Sequence, residues 1–183
     1  MRIYKEETIA IAVDVQEKLV PAMDQADEII RRNVLLTQGL NTLGVESLFL
    51  RQYPKGLGDI IPELRAVAGE YSPYDKMAYS AVLDEAIAEK LETLRARGIK
   101  NILVSGVEAH ICVLQTCIDL KAKGFRPIIV ADAVGSRNPF DKKIGLKRAR
   151  EEEITLTTVE SILFELLQVA GTDEFKVISK LVR

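Results

Sequence analysis

A cysteine near the start of a predicted helix is the first candidate for chemistry in this sequence. The segment 106–112 (G-V-E-A-H-I-C) leads from a predicted central strand into a helix, so Cys112 is expected within the first turn of that helix. Unpaired backbone N–H groups and the helix dipole both favour a thiolate at such a position. The same N–H groups can hold an oxyanion formed during acyl transfer. Cys112 is therefore a candidate nucleophile, with a buried packing role as the alternative, because free cysteines are usually buried.

Asp14 is the second candidate, because it closes the first predicted strand. Ligands of open parallel sheets bind beyond the carboxyl ends of the strands, so an acid there favours a functional role over the alternative of capping a loop. His110, the only histidine, is expected at a helix start or a pocket rim rather than as a general base. Cys117 is expected to pack in the core. Composition alone gives no reason to single out Lys76, which on that basis is expected to be solvated.

Short apolar runs alternate with helical periods along the chain. Residues 8–15 (T-I-A-I-A-V-D-V) are apolar almost throughout, as in a strand buried on both faces of a parallel sheet. Further strands are predicted at 45–50, 102–105, 126–131 and 154–157, and helices at about 27–43, 83–94, 110–123, 139–152 and 158–167. Strands separated by helices indicate right-handed βαβ units. The sequence thus predicts an α/β fold, a doubly wound (Rossmann-like) parallel sheet of about six strands with helices on both faces.

Turn residues mark where these elements should end. Gly44 and Gly124 are expected to stop helices. Residues 157–160 (T-T-V-E) predict a capping box at the start of the last helix. Gly171 is expected to end that helix, leaving a short basic-tipped tail. Residues 51–79 contain prolines and glycines with few periodic signals, so we expect a long irregular loop there, of a kind that commonly carries function.

Composition excludes several classes of protein. The 183 residues, 48% of them hydrophobic, suit one domain spanning residues 1–183. Lys and Arg (25) nearly balance Asp and Glu (27), so no broad basic field is available for nucleic acid or anionic lipid. The apolar runs are too short for a membrane span, and the charged start lacks the apolar core of a signal peptide. Two cysteines five residues apart make no disulfide framework, so a reduced, cytoplasmic setting is expected.

Five segments of the chain occur in the order in which one enzyme family carries them. They are V-D-V-Q at 13–16, K-M-A-Y-S-A at 76–81, G-V-E-A-H-I-C-V-L-Q-T at 106–116, V-A-D-A-V-G-S-R at 130–137 and T-T-V-E-S-I-L-F-E-L-L at 157–167. On these segments the chain resembles the isochorismatase-like cysteine hydrolases over essentially its whole length. R-Q-Y-P-K-G-L-G at 51–58 resembles the subgroup called isochorismatase domain-containing proteins.

The resemblance implies an Asp-Lys-Cys triad formed by Asp14, Lys76 and Cys112. It also implies a non-proline cis peptide bond between Val107 and Glu108, and an oxyanion hole made by the backbone N–H groups of Glu108 and Cys112. In these roles Lys76 would favour the Cys112 thiolate, and Asp14 would accept and return a proton. The implied reaction is attack on a carbonyl, release of an amine and hydrolysis of a thioester. A small-molecule substrate and homo-oligomerisation are expected as well.

The substrate pocket is expected beside the 51–79 loop. Its candidate lining residues are Gln16, Tyr53, Leu57, Tyr79, Ala109 and His110. The aromatic residues of the loop have an alternative role in closing the core beneath it. Many amidases of the family carry Thr-Asp where this chain has Ala109 and His110, and the isochorismatase branch cleaves a vinyl ether. The bond that is cleaved therefore stays open.

Neither a metal nor another cofactor is expected. Metal-binding nicotinamidases of the superfamily carry an Asp with paired histidines ahead of the lysine, and this chain has no histidine there. Zinc prefers Cys, His and carboxylate ligands, and the sequence has no such cluster in a recognisable spacing.

Two other classes of protein compete with a hydrolase. An isochorismatase-like scaffold with weak or no catalysis would serve as an oligomeric interaction protein, but it would not need Asp14, Lys76 and Cys112 together. A phosphoacceptor receiver domain would carry an acidic site at the end of the first strand, where V-D-V-Q lacks the paired acids expected for Mg²⁺. The sequence favours a metal-independent cysteine hydrolase of a small amide or related compound.

Overall fold

Six parallel strands form one sheet in the computed structural model, which describes residues 2–183. In chain order the strands are β1 Thr8–Val13, β2 Ser47–Gln52, β3 Tyr74–Lys76, β4 Asn101–Val107, β5 Arg126–Gly135 and β6 Thr155–Thr157. Their spatial order is β3-β2-β1-β4-β5-β6, and every neighbouring pair runs parallel. The predicted α/β sheet is confirmed.

Helices cover both faces of this sheet. Within residues 2–183 the α-helices are α1 Ala26–Thr42, α2 Pro54–Leu57, α3 Pro62–Arg65, α4 Glu85–Ala96, α5 Leu114–Ala122, α6 Pro139–Glu151, α7 Val159–Leu167 and α8 Asp173–Leu181. Helices α4 and α5 pack on the face that carries Ile9 and Ile11 of β1, whereas α1, α7 and α8 pack on the face that carries Ala10. The two faces follow from the strand itself, because successive side chains of a strand point to opposite sides.

The 51–79 segment contains more regular structure than predicted. It holds strand β3 and the single-turn helices α2 and α3. Ile60 and Leu64 are fully buried in a hydrophobic cluster with Phe49 of β2. A three-residue strand and single helical turns are too short to produce a periodic signal, so sequence periodicity could not reveal them.

The carboxyl-terminal tail was predicted wrongly, because it forms helix α8. The Thr172 hydroxyl caps this helix by accepting the backbone N–H of Phe175. Ile178 is fully buried against the cluster formed by α1 and α7. Helix α7 ends at Leu167, where Gln168 takes a positive φ of 65°, and so Gly171 does not end it.

The capping box predicted at 157–160 does not form, because the helix cap lies one residue later. Thr158 is the N-cap of α7, and its hydroxyl accepts the backbone N–H of Ser161. Glu160 therefore does not take the reciprocal position that a capping box requires. The helix still begins where expected, since a threonine cap needs only one hydrogen bond to a backbone N–H group.

Gly106 allows β4 to lie against β1 where the strand order reverses. Its φ is 104°, and a Cβ at this position would lie 2.0 Å from the Val13 carbonyl oxygen. Only glycine is compatible with that approach. The crevice at such a reversal is the usual ligand site of an open α/β sheet.

Within residues 2–183, no helix combines the length and the apolar composition needed to cross a bilayer.

Candidate active site

A buried ion pair joins two strand ends beside this crevice. Asp14 follows β1 and Lys76 ends β3. The Lys76 Nζ lies 2.8 Å from the Asp14 Oδ2, and both side chains are 0% exposed. The expectation of a solvated Lys76, drawn from composition alone, is therefore wrong. A charge removed from water needs a partner, and these two residues provide one for each other.

Further hydrogen bonds hold the ammonium group of Lys76. Its Nζ donates to the Gln52 Oε1 at 2.6 Å and to the carbonyl oxygens of Ala78 and Tyr79, each at 3.3 Å. Gln52 ends β2, the strand between β1 and β3. These acceptors satisfy the donors of a buried cation and keep it in place beside Asp14.

The Asp14 carboxylate has few partners apart from Lys76. Among residues 2–183, neither of its oxygens makes a hydrogen bond of good geometry. Burial raises the pKa of Asp14 above its usual range, and the charge of Lys76 opposes that rise. A carboxylate with a raised pKa and free acceptor positions is suited to take a proton from a neighbouring group.

Cys112 lies beside this pair, in a π-helical turn formed by Ala109–Val113 rather than in the first turn of the α-helix. The residue is 6% exposed. Burial and the negative charge of Asp14 raise the pKa of the Cys112 thiol to about 12, while Lys76 lowers it to a smaller extent. Both effects favour the protonated thiol, and the thiolate expected from the sequence stays a prediction. Asp14 is the adjacent acceptor for the thiol proton.

Glu108 presents its backbone and its side chain to different partners. The peptide bond between Val107 and Glu108 is cis. The backbone N–H of Glu108 approaches the Cys112 sulfur and lowers the pKa of the thiol. The Glu108 carboxylate accepts the backbone N–H of Arg137 at 2.9 Å and the Arg137 Nε at 3.1 Å. The residue thus links the cysteine to the segment that follows β5.

A cavity of about 340 Å³ opens onto these groups. Its size lies near the lower end of the range for small-molecule sites. The lining residues are Asp14, Leu19, Gln52, Leu57, Tyr79, Glu108, Ile111, Cys112, Gln115 and Arg137. They include Asp14 and Cys112 of the predicted triad, but not Lys76. They also include two of the predicted pocket residues, Leu57 and Tyr79.

Four of the predicted pocket residues lie outside this cavity. Ala109 is buried, and Tyr53 is half-exposed at the start of α2. The His110 Nδ1 lies 3.0 Å from the Ser136 Oγ. Gln16 is fully buried, and its amide group makes hydrogen bonds to the neighbouring chain segments.

The hydrogen bonds of Gln16 explain its position. Its Nε2 donates to the carbonyl oxygens of Gln52 and Gly58 at 3.0 and 2.8 Å, and its Oε1 accepts the Gln52 N–H at 2.8 Å. Gln16 therefore positions the end of β2, and with it the side chain that binds Lys76, without lining the cavity.

Metal binding is not indicated by the donor set. Within residues 2–183, no group of three or more His, Cys, Asp or Glu side chains is arranged to hold a metal ion. The absence of a metal from the reaction stays a prediction.

Comparison with known proteins assigns the family. The model of the isochorismatase domain matches residues 8–161, which include Asp14, Lys76 and Cys112. The chain belongs to the isochorismatase domain family. Isochorismatase domain-containing protein 1 from Salmo salar is 35% identical over 176 residues, which cover 96% of this chain and 61% of that relative. The chain thus spans less than two thirds of the length of that protein.

Other similar proteins match over nearly their full length. The secreted isochorismatase effector Isc1 from Phytophthora sojae is 32% identical over 185 residues, covering 100% of this chain and 87% of the relative. A solved structure described as MAR1 ribonuclease from Caenorhabditis elegans has a TM-score of 0.91 and 31% identity, covering 100% and 92% of the two chains. The YcaC gene product from Escherichia coli, described as an octameric hydrolase of unknown specificity, has a TM-score of 0.90 at 19% identity, covering 99% and 90%.

Sequence reasoning missed several residues of this isochorismatase-type site. Gln52 and Gln115 lie in segments that supported the family resemblance, but an amide side chain gives no sign of a chemical role by itself. Arg137 closes the V-A-D-A-V-G-S-R segment that supported the family resemblance, and this was the one available signal for it. Its pairing with Glu108 joins positions 29 residues apart, so only the folded chain reveals it.

Proposed function

We propose that this chain is a metal-independent cysteine hydrolase of a small amide or related compound, with Cys112 as the nucleophile. One observation carries the proposal. The Asp14–Lys76 ion pair, 2.8 Å long and fully buried, lies beside the Cys112 thiol, and Asp14 and Cys112 line one cavity. Buried charges with shifted pKa values that face a cavity are typical of functional sites.

The first half-reaction forms a thioester. The Cys112 Sγ bonds to the carbonyl carbon of the substrate, and the thiol proton passes to Asp14. The raised pKa of Asp14 makes it a stronger base than an exposed aspartate. When the tetrahedral intermediate collapses, the C–N bond breaks, and the leaving nitrogen takes the proton from Asp14 and departs as an amine.

The second half-reaction restores the cysteine. A water molecule attacks the thioester carbonyl while Asp14 accepts one of its protons. The C–S bond breaks, the sulfur regains the proton, and the product leaves as a carboxylic acid. The net change is amide plus water to amine plus acid, so no further reactant is needed.

The surrounding groups suit the charge that develops during both steps. Lys76 compensates the negative charge as it moves between the sulfur and Asp14. The backbone N–H of Glu108 already points toward the sulfur. We assign this N–H and that of Cys112 to an oxyanion hole, because donors placed in advance stabilise the tetrahedral oxyanion without reorganising.

The test is turnover by the wild-type chain and Cys112→Ala across small amides, ureides and vinyl ethers. Loss of a nucleophile is expected to reduce kcat by roughly 10³-fold or more. Cys117→Ala is the matched control, since Cys117 is fully buried and does not line the cavity. Full turnover by a correctly folded Cys112→Ala variant would exclude the proposal.

Ribonuclease activity is a second candidate, favoured by the relative from Caenorhabditis elegans at 31% identity. Against it, the net charge of −2 provides no broad basic field for a phosphate backbone. Cleavage of a labelled RNA by the wild-type chain, absent in Cys112→Ala, would support this candidate over the small-molecule one.

We further propose that the chain forms homo-oligomers and acts in the cytoplasm. Met77, Leu83 and Phe140 are strongly exposed apolar side chains, and such surfaces often mark association sites. The two free cysteines suit a reducing compartment, although one relative is named as a secreted protein. Analytical ultracentrifugation would test the first point, since a concentration-independent monomer would contradict self-association.

A further inference from the structure

The charges at the inner end of the cavity cancel. Asp14 and Lys76 carry opposite charges 2.8 Å apart, with both side chains withdrawn from solvent. Cys112 adds no charge while it keeps its proton. The reactive end of the cavity therefore offers no net charge to an incoming molecule.

A second pair of opposite charges lies at the outer wall. The Arg137 Nε and the Glu108 Oε1 are 3.1 Å apart, and the Glu108 Oε2 accepts the Arg137 backbone N–H at 2.9 Å. The Glu108 side chain is 7% exposed, whereas that of Arg137 is 63% exposed. Both oxygens of the carboxylate thus accept hydrogen bonds from Arg137. Among residues 2–183, Arg137 is the only cationic residue that lines the cavity, and Glu108 already neutralises it.

We infer that the Glu108–Arg137 ion pair makes this cavity select uncharged substrates, with the Glu108 side chain as the residue that excludes anionic ones. The inference deepens the proposed function and rests on it, because it takes Cys112 as the nucleophile. A substrate carboxylate would have to compete with Glu108 for Arg137. It would also approach the Glu108 carboxylate, which lines the same cavity.

The remaining lining suits a neutral molecule with both apolar and amide character. Leu19, Leu57 and Ile111 supply apolar surface, and Gln52 and Gln115 supply neutral polar groups. Ligand sites commonly combine an apolar wall with a few polar groups that set orientation. A small uncharged amide or ureide fits this chemistry.

Two alkylating reagents test the inference, because they differ only in charge. Iodoacetamide is neutral and iodoacetate is anionic, and each forms a C–S bond with the thiol, releasing iodide and the thiol proton. The rate of Cys112 modification by each is measured by mass spectrometry with peptide mapping. Dividing by the rates for free glutathione removes the intrinsic difference between the reagents. Cys117 is fully buried and serves as the internal reference for unfolding.

Glu108→Gln and Arg137→Gln are expected to act in opposite directions. The wild-type chain should favour iodoacetamide over iodoacetate at least about tenfold relative to glutathione, which corresponds to about 1.4 kcal/mol. Glu108→Gln frees the cation and keeps the backbone N–H, so the preference should fall about tenfold. Arg137→Gln leaves the Glu108 carboxylate without its cation, so the preference should rise. Because the Arg137 side chain is exposed, the chain is expected to fold normally with glutamine at this position.

Three outcomes decide the matter. A glutathione-like ratio in the wild-type chain, unmoved in both variants, overturns the charge selection but leaves the cysteine mechanism standing. Failure of both reagents to modify Cys112 in a folded chain overturns both proposals. Charge-selective alkylation together with full turnover by Cys112→Ala retains the selective cavity and removes the proposed mechanism.

Discussion

The Nζ of Lys76 lies 2.8 Å from the Oδ2 of Asp14, although the two residues stand 62 positions apart in the chain and belong to strands that are not neighbours. Strand β2 lies between theirs, and its terminal Gln52 accepts a hydrogen bond from the same Nζ at 2.6 Å. Side chains from the ends of three strands therefore form one buried polar cluster. This arrangement has measurable consequences for stability and for thiol reactivity.

Lys76→Met is expected to destabilise the chain strongly. It leaves the buried Asp14 without its cation, and breaking a buried ion pair typically costs about 3–5 kcal/mol. The free energy of unfolding in urea measures the effect. Because burial then raises the pKa of Asp14 with no lysine to oppose it, the variant should lose stability as pH rises above the ordinary value of 3.8 and recover as Asp14 is protonated.

Lys100→Met is the matched control for this change. Lys100 pairs with Glu7 at the surface, where the two side chains are 51% and 34% exposed. Exposed pairs contribute at most about 1 kcal/mol. Equal losses of stability in the two variants would contradict the importance assigned to the buried pair.

Asp14→Asn is expected to make Cys112 more reactive toward iodoacetamide while it abolishes turnover. The thiol pKa of about 12 reflects burial first and the charge of Asp14 second, with Lys76 opposing both. Removing the carboxylate charge leaves Lys76 unopposed, so the thiol pKa falls and alkylation at neutral pH rises by about tenfold or more. Turnover is lost because the proton acceptor is gone.

The pH dependence of alkylation measures this effect, with Asp75→Asn as the control. Asp75 adjoins Lys76 in the chain but pairs at the surface with Arg51, so its loss should leave the Cys112 profile unchanged. An alkylation profile that is the same in Asp14→Asn and the wild-type chain would show that Asp14 does not govern the thiol.

Gly106→Ala is expected to disrupt the contact between β4 and β1. The new Cβ would lie 2.0 Å from the Val13 carbonyl oxygen, at a backbone φ of 104°. A clash with backbone in a packed sheet should cost more than about 4 kcal/mol. Thermal or urea unfolding provides the measurement.

Gly44→Ala separates the effect of the clash from that of backbone conformation. Gly44 also has a positive φ, 70°, but a Cβ there would meet nothing within 4 Å. In Gly44→Ala only the left-handed backbone conformation of alanine lowers the free energy of unfolding, by about 1–2 kcal/mol. Similar losses in both variants would rule out close strand packing as the reason for glycine at position 106.

The fold was largely readable from the sequence, because burial on both faces leaves a local signature. Residues 9–13 are apolar throughout and lie in β1, and the periodic segment predicted at 27–43 forms α1 at Ala26–Thr42. Strand β3 and helix α8 were missed. The first is three residues long. The second carries the apolar residues Phe175, Ile178 and Leu181 at helical spacing, a signal that was present in the sequence but was not used.

The sequence by itself determined which residue types were available for chemistry and where two of them would stand, since Asp14 and Cys112 each follow a recognisable strand. The position of Lys76 came from the family resemblance, because a lysine in an irregular loop carries no local sign that it will be buried. The raised pKa of the Cys112 thiol and the pairing of Glu108 with Arg137 come from tertiary structure alone. Desolvation and Coulomb interactions depend on distances between groups remote in the chain, and a one-dimensional pattern does not contain those distances.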